Sequence, residues 1–381
     1  MIVFYVLAVF AVIQGVISLR EGFRAAAHLR NFRPKAAWRP QVVVFCPCKG
    51  VDPEFEKNIR SVLDQDYSNF RAVFIVDSDR DPAFDVLRRL SATVVVAGEA
   101  GDRGQKVHNL LYAVDHAAGA AEVFAFCDAD ARFSRYWLAS LVAPLEDGAV
   151  GVSTGYRWYA PTGGMASVMR SIWNASAVTL LGDHSRNFAW GGSMALRREI
   201  FDRIRVREEW AGCVSDDFAV THAARAAGMR IVFVPLCLTP SYGNCTWTEL
   251  LEFTTRQLII TRVYDPGMWR MALFSQTLFN VAFWSSAVLA WNHVSAGVMF
   301  CMISGLAATK GWTRLEAVVT ALPENTLSNR RWSYILGFPL SALLYQYNLF
   351  RSAFTRDIVW RQIRYSLLSP HHTVVSRDGA S

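Results

Sequence analysis

The sequence predicts an α/β domain on a mostly parallel sheet, preceded and followed by transmembrane helices. Three observations predict it. Apolar runs of strand length alternate with charged helical stretches from about residue 40 to 270, and polar clusters follow three of those runs. Long uncharged apolar segments fall outside that region, at 2–19, 271–308 and 332–350.

From residue 41 the pattern reads strand 42–46, helix 54–65, strand 72–77, helix 83–90, strand 93–97, helix 105–117, strand 122–127 and helix 136–145. This is βαβ alternation, whose ligands bind beyond the strand C-termini. A second half, 148–264, carries a strand at 150–154, a helix at 166–181, the Gly191-Gly192-Ser193 turn, a helix at 216–227 and a strand at 231–234. It has no Pro- or Ser-rich linker before it, so both halves are expected in one domain, 40–265.

Hydrophobic residues make up 52% of the chain and charged ones 19%, a balance that leans toward a protein partly in lipid. Segment 2–19 is uncharged, and Arg20, Arg24, Arg30, Arg33, Lys35 and Arg39 follow it. It lacks a basic n-region and is long for a cleaved signal, so residues 1–20 are expected to be an uncleaved anchor. Its basic flank stays in the cytoplasm, which puts the α/β domain on the cytosolic face of a bacterial inner membrane or its equivalent. The seven cysteines form neither a zinc pattern nor a disulfide framework, as expected of a reducing compartment.

Asn292-His293 divides 271–308 into two helices, and 332–350 makes a third, completing a C-terminal membrane region at 271–350. Three spans would put the basic stretch 351–364 outside, so one segment is expected to be re-entrant or interfacial. Residues 351–381 read as a basic interfacial tail, with 360–365 an amphipathic interface segment or a plain surface helix. The net charge of +7 therefore points to anionic headgroups, and the soluble region has no basic, aromatic-interleaved stripe for nucleic acid.

Chemistry concentrates at the strand ends. Asp128-Ala129-Asp130 follows a buried apolar strand, and carboxylates at i and i+2 there can converge on one hard cation, Mg²⁺ or Mn²⁺. Alone, such a pair is as easily a solvated turn. Asp77, Asp79 and Asp81 can accept hydrogen bonds from a nucleobase or ribose, or cap the helix that opens at Pro82, where Asp81 is the expected cap. Lys106, at a helix start after a Gly-rich loop, can reach phosphate. Ser215-Asp216-Asp217 opens a helix, where one acid serves the helix dipole and the other is free to act as a general base. Gly191 and Gly192 allow close approach of backbone to a ligand, or a tight turn. Trp190 and Trp210 could stack on a sugar, with core packing the default.

The ordered run Pro47-Cys48-Lys49-Gly50-Val51-Asp52-Pro53, Asp81-Pro82-Ala83, Cys127-Asp128-Ala129-Asp130, Gly191-Gly192-Ser193-Met194 with Arg197-Arg198, and Asp216-Asp217 resembles family 2 glycosyltransferases. Within them it is similar to the ceramide glucosyltransferase group. The resemblance implies a GT-A (Rossmann-like) fold and inverting transfer of glucose or a similar hexose from a UDP-sugar donor to a hydroxyl of a lipid acceptor such as ceramide. It implies that Asp81 is the first essential aspartate, that Asp128 and Asp130 bind the metal, and that Asp217, with Asp216 beside it, is the catalytic base. Donor-side residues are then Lys49, Asp52, Asp77, Asp79, Asp81, Lys106, Asp128, Gly191 and Gly192. The group ends its catalytic domain with Q/R-x-x-R-W, of which Arg256-Gln257-Leu258-Ile259-Ile260 keeps only the first Arg. Arg256 and Gln257, with Arg262 standing in for the missing charge, and Trp190 form the expected acceptor or phosphate side. Processive polysaccharide synthases resemble the chain less, and a silent nucleotide-sugar-binding membrane subunit is the rival reading.

Overall fold

The computed structural model describes residues 1–33, 38–322 and 331–377; Lys35 lies outside the described residues. The chain divides into an α/β unit (Phe32–Ala160, Leu181–Gly243 and Arg356–Ser381) and a helical unit (Met1–Asn31, Pro161–Leu180 and Asn244–Thr355). The span 40–265 read from the sequence is thus shared between the two. Helices Met165–Val178 and Trp247–Tyr264 belong to the helical unit.

The α/β unit is organised on a seven-stranded sheet. Its strands are β1 (Val42–Pro47), β2 (Phe70–Val76), β3 (Thr93–Val96), β4 (Val123–Cys127), β5 (Val150–Ala160), β6 (Ser193–Arg197) and β7 (Arg230–Tyr242), in the order β3-β2-β1-β4-β6-β5-β7. Strands β3, β2, β1 and β4 run parallel, as do β5 and β7, while β6 lies antiparallel between β4 and β5. β1 and β4 are apolar throughout because helices or aromatic side chains cover both faces. Phe45, Phe124 and Phe126 meet Phe201 and Trp210 on one face. Val42, Val44 and Cys46 join Ile59, Val62, Phe74 and Leu138 on the other. Each buried Phe stabilises the fold by roughly 1.5–3 kcal/mol. The chain runs outward from β1 to β2 and β3 and then crosses back to β4 on the other side of β1, so the C-terminal ends of β1 and β4 flank the crevice where such sheets bind ligands.

Two features of this unit differ from the sequence reading. β6 follows the Gly-Gly turn as a full strand, paired from Ser193 with Cys127 to Arg197 with Val123. Residues 360–365 are not a surface helix: β8 (Asp357–Trp360), β9 (Ile363–Ser369) and β10 (His372–Arg377) form an antiparallel sheet. Arg361 and Gln362, with φ of 51° and 66°, make the left-handed turn between β8 and β9. The Gln105 N–H donates to the buried Tyr365 hydroxyl at 3.3 Å, and the Thr373 hydroxyl donates to the Gly212 carbonyl at 2.7 Å. These contacts build the sheet into the α/β unit.

In the helical unit three helices are long and apolar enough to cross a membrane, Ile2–Asn31, Pro266–Leu289 and the Val294–Val319 part of the helix that ends at Ala321. The break between the last two falls at Asn292-His293, as expected. Segment 332–350 is divided between two shorter helices. Gly337 separates helix Arg331–Leu336 from Phe338–Phe354, and neither is among the spanning candidates.

A Cβ on Gly155 would overlap the Cys237 carbonyl and lie 2.6 Å from Ser193 Oγ, where β5 and β7 bulge together. Gly155→Ala is therefore expected to cost about 1–3 kcal/mol. Gly148→Ala meets nothing within 4 Å and should be near neutral. Thermal unfolding of the two detergent-solubilised variants checks the contrast.

Candidate active site

The first cluster stands beyond β1 and β2. Lys49 pairs with Asp77, and its Nζ lies 3.9 Å from Asp81. Asp81 caps the helix Pro82–Arg89 by accepting from Ala83 N at 2.9 Å, and the same oxygen accepts from Gly50 N at 2.8 Å. The capping and functional readings of Asp81 thus coexist, because the cap fixes its carboxylate toward the Lys49-Gly50 turn.

The second cluster is centred on Asp128 at the end of β4. Lys106 Nζ lies 2.9 Å from one Asp128 oxygen and 3.2 Å from Asp216. Arg157, from the long β5, donates to the other Asp128 oxygen at 2.7 Å and to both Asp130 oxygens at 2.7 and 3.0 Å. Its guanidinium also donates to the Tyr159 hydroxyl at 2.8 Å and lies over the Trp190 ring, 5.1 Å from the centroid. Burial would raise the Asp128 carboxyl's pKa, but Lys106 and Arg157 overcome it and hold the group below its usual value. Burial pushes Asp130 up, a shift that Arg157 opposes and Asp128 reinforces. Burial also works against the Lys106 charge, yet Asp128, Asp216 and Asp217 raise its pKa. Among the described residues no group of three or more His, Cys, Asp and Glu side chains could hold a metal by itself.

The third cluster opens the helix Asp216–Ala226. Ser215 is its cap, and adjacent acids on a helix point about 100° apart. Asp216 turns inward to Lys106, with its second oxygen buried without a hydrogen-bond partner, while the Trp210 indole donates to its carbonyl at 3.0 Å. Asp217 is only half-buried and accepts from the Ser215 hydroxyl, from Phe218 N at 2.8 Å and from Gly191 N at 3.2 Å. Glycine is required at 191 and 192 by space. A Cβ at 191 would overlap the Asp216 carboxylate, and one at 192 would overlap the Trp190 ring and lie 2.6 Å from Asp128.

The structure therefore brings together Lys106, Asp128, Asp130, Trp190, Gly191, Gly192, Asp216 and Asp217, with Lys49, Asp77 and Asp81 at the neighbouring strand ends. Asp79 does not join them, being exposed with its carboxylate 3.5 Å from the Ser78 hydroxyl. Trp210 is fully buried core. Arg256, Gln257 and Arg262 lie on the helix Trp247–Tyr264 of the helical unit, where Arg262 donates to the Ala353 and Thr355 carbonyls. Two residues were missed. Arg157 is a cation inside an otherwise buried strand, a signal hidden when that strand is ended at residue 154. Arg361 grips Asp52 through both carboxylate oxygens at 2.6 and 3.2 Å. Its run Arg361-Gln362-Ile363-Arg364-Tyr365 has the Q/R-x-x-R spacing with Tyr in the Trp place, far downstream of residue 256.

The sheet order and the crevice at the strand ends are those of the GT-A fold. A family model for Glycosyl transferase family 21 matches residues 3–372, and the chain belongs to that family. A ceramide glucosyltransferase of Komagataella phaffii is 30% identical over 89 residues, which are 23% of this chain and only 17% of that enzyme's length. The mannosyltransferase PcManGT from Pyrobaculum calidifontis, solved with GDP-Man and Mn²⁺, is 18% identical with a TM-score of 0.51, covering 92% of this chain and 97% of that one. Glucosyl-3-phosphoglycerate synthase from Mycobacterium tuberculosis, solved with Mn²⁺ and UDP-Glc, is 16% identical with a TM-score of 0.40 over 59% of this chain and 79% of that one.

Burial raises the Asp216 pKa from 3.8 to about 7, against the pull of Lys106. The folded protein then holds a proton that the unfolded chain has released, so this contribution to stability is complete below pH 3.8 and is lost as pH rises through about 7. Wild-type melting temperature should fall relative to Asp216→Asn as pH rises from about 5 to 8. A pH-independent difference between the two melting curves would contradict the buried, proton-holding role.

Proposed function

We propose that this chain is a membrane-bound inverting glycosyltransferase that moves glucose or a similar hexose from a UDP-sugar to a hydroxyl of a lipid such as ceramide. The observation that carries the reading is the meeting of Lys106, Arg157, Asp128, Asp130, Asp216 and Asp217 at the crevice end of the sheet. Three carboxylates, Asp128, Asp130 and Asp217, with the buried Asp216 beside them, face two cations and leave no spare positive charge for a diphosphate, which argues for a divalent ion, Mg²⁺ or Mn²⁺. Asp128 and Asp130 would hold it, together with donor oxygens. When bound, such an ion supplies positive charge to a departing diphosphate.

Asp217 is the base in this reading because its carboxylate is reachable, whereas the Asp216 oxygens are closed in by Lys106 and Gly191. Its bonds from Ser215, Phe218 and Gly191 hold it for an incoming acceptor. The acceptor hydroxyl loses its proton to Asp217 as its oxygen bonds the anomeric carbon, and the bond from that carbon to the diphosphate breaks on the opposite face. Lys106 and Arg157 face the negative charge that develops on the leaving group. A single displacement inverts the configuration. Lys49, Asp77 and Asp81 line the donor side, with Asp81 held by its cap.

The membrane reading follows from the three apolar helices. Pro266–Leu289 and Val294–Val319 form an outward and returning pair, so residues 33 and 322 lie on one side of the membrane. Arg20, Arg24, Arg30, Arg33 and the 351–364 stretch then share that side, which the positive-inside tendency makes cytosolic. The parity conflict of a third C-terminal span disappears.

Asp217→Asn should lower transfer by about 10²–10⁴-fold while leaving donor binding nearly intact. Mass spectrometry of glycolipid products and calorimetry with UDP-sugar and Mn²⁺ read the two quantities. Turnover retained by the variant would remove Asp217 as base.

A further inference from the structure

The helical unit holds two cations that no carboxylate among the described residues pairs with. Lys310 and Arg314 stand one turn apart on the helix Val294–Ala321. Lys310 Nζ donates to the Ser18 hydroxyl at 2.6 Å, and Arg314 Nη2 donates to Thr179 Oγ1 at 3.2 Å. Arg314 Nε is buried without a hydrogen-bond partner. The acid nearest in sequence, Glu316, is taken by Arg331 at 2.7 Å. Like charges at i and i+4 repel, and cations set among apolar helices are costly unless an anion answers them.

Their depth can be read from the packing. The helix Ile2–Asn31 runs parallel to Val294–Ala321: a Cβ on Gly15 would sit 3.0 Å from Leu306, Ser18 meets Lys310, and a Cβ on Gly22 would sit 3.7 Å from Thr313. Ser18 is the last polar residue before the charged flank that begins at Arg20. Lys310 and Arg314 therefore lie where the uncharged part of the span ends, at headgroup depth on the basic side. Hydroxyls gather beside them. Thr179 Oγ1 donates to the Ser176 carbonyl at 2.8 Å, Ser176 Oγ meets the Tyr345 hydroxyl, and the Tyr345 ring stacks on Trp173 at 4.7 Å. A planar guanidinium fork, an ammonium one turn away and nearby hydroxyl groups match the oxygens of a phosphate.

We propose that Lys310 and Arg314 form a binding site for the phosphate of an anionic lipid headgroup. The proposal rests on the membrane-spanning reading and not on the transfer chemistry, so its test reads lipid retention rather than turnover. The full-length protein is placed in nanodiscs holding equal parts phosphatidylcholine and phosphatidylglycerol, and native mass spectrometry counts the lipids it keeps. Failure to enter the discs would sink the membrane reading, and with it this site. Once in the discs, wild type should keep phosphatidylglycerol preferentially. Lys310→Gln and Arg314→Gln should each reduce its retention by about tenfold, since a charge-assisted hydrogen bond is worth that much. Lys310→Arg should restore what Lys310→Gln loses, which a purely structural role would not require. Arg60→Gln, which removes an exposed cation paired with Glu56 on the α/β unit, should leave retention unchanged. Equal retention of the two lipids by wild type, retention unchanged in the doubly substituted protein with an unaltered melting curve, or full displacement of the lipid by inorganic phosphate would each overturn the assignment.

Discussion

The arrangement of the site depends on one carboxylate. Asp128 has its two oxygens claimed by different cations, Lys106 from the helix after β3 and Arg157 from β5. Each cation then holds a second acid, Asp216 in one case and Asp130 in the other. Segments far apart in the chain are thereby locked to the end of β4. Such a network is costly to assemble out of water and costly to break, because removing one member leaves another buried and unpaired. The sheet makes it possible: β6, reversed between β4 and β5, brings Gly191 and Gly192 against Asp216 and Asp128.

How much of this was legible depended on whether a residue's role was local. The βαβ half was legible because its strands are uninterrupted apolar runs and its helices keep a charged face, so the period of the pattern states the element. Asp81 as a cap and the acid pair at 128 and 130 were legible because spacing within a few residues defines them. Arg157 was not, since nothing near Tyr156-Arg157-Trp158 says that it faces carboxylates some thirty residues earlier in the chain. β6 escaped for a related reason: five residues behind two glycines read as the tail of a turn until β4 and β5 supply its partners on either side.

In the C-terminal region a break too small for composition to register divides an apolar run. Residues 332–350 are apolar enough to suggest a span, yet Gly337 followed by Phe338-Pro339 ends one helix and starts another. Beyond it, a left-handed turn at Arg361 and Gln362 folds the basic residues into a hairpin, which delivers Arg361 to Asp52 and Tyr365 to the start of the Lys106 helix. The residues read as the remnant of the terminal motif, Arg256 and Gln257, lie on a helix of the other unit, where Arg262 satisfies helix-end carbonyls.

The pair Asp216-Asp217 joins both kinds of information. Position at a helix start does not tell them apart, since either would suit the dipole, and only the family resemblance singled out Asp217. A turn of about 100° between neighbours makes them opposites. One is driven inward, where burial favours its protonated form and Lys106 answers its charge. The other stays at the rim, held by a hydroxyl and two backbone N–H groups that orient it without closing it off. On the proposed reading the inner acid keeps Lys106 in place, and the outer one, which takes a proton from an incoming molecule, has to be reachable. Two adjacent aspartates at a helix N-terminus meet both requirements, because the backbone that separates their directions also supplies the hydrogen bonds that fix the outer one.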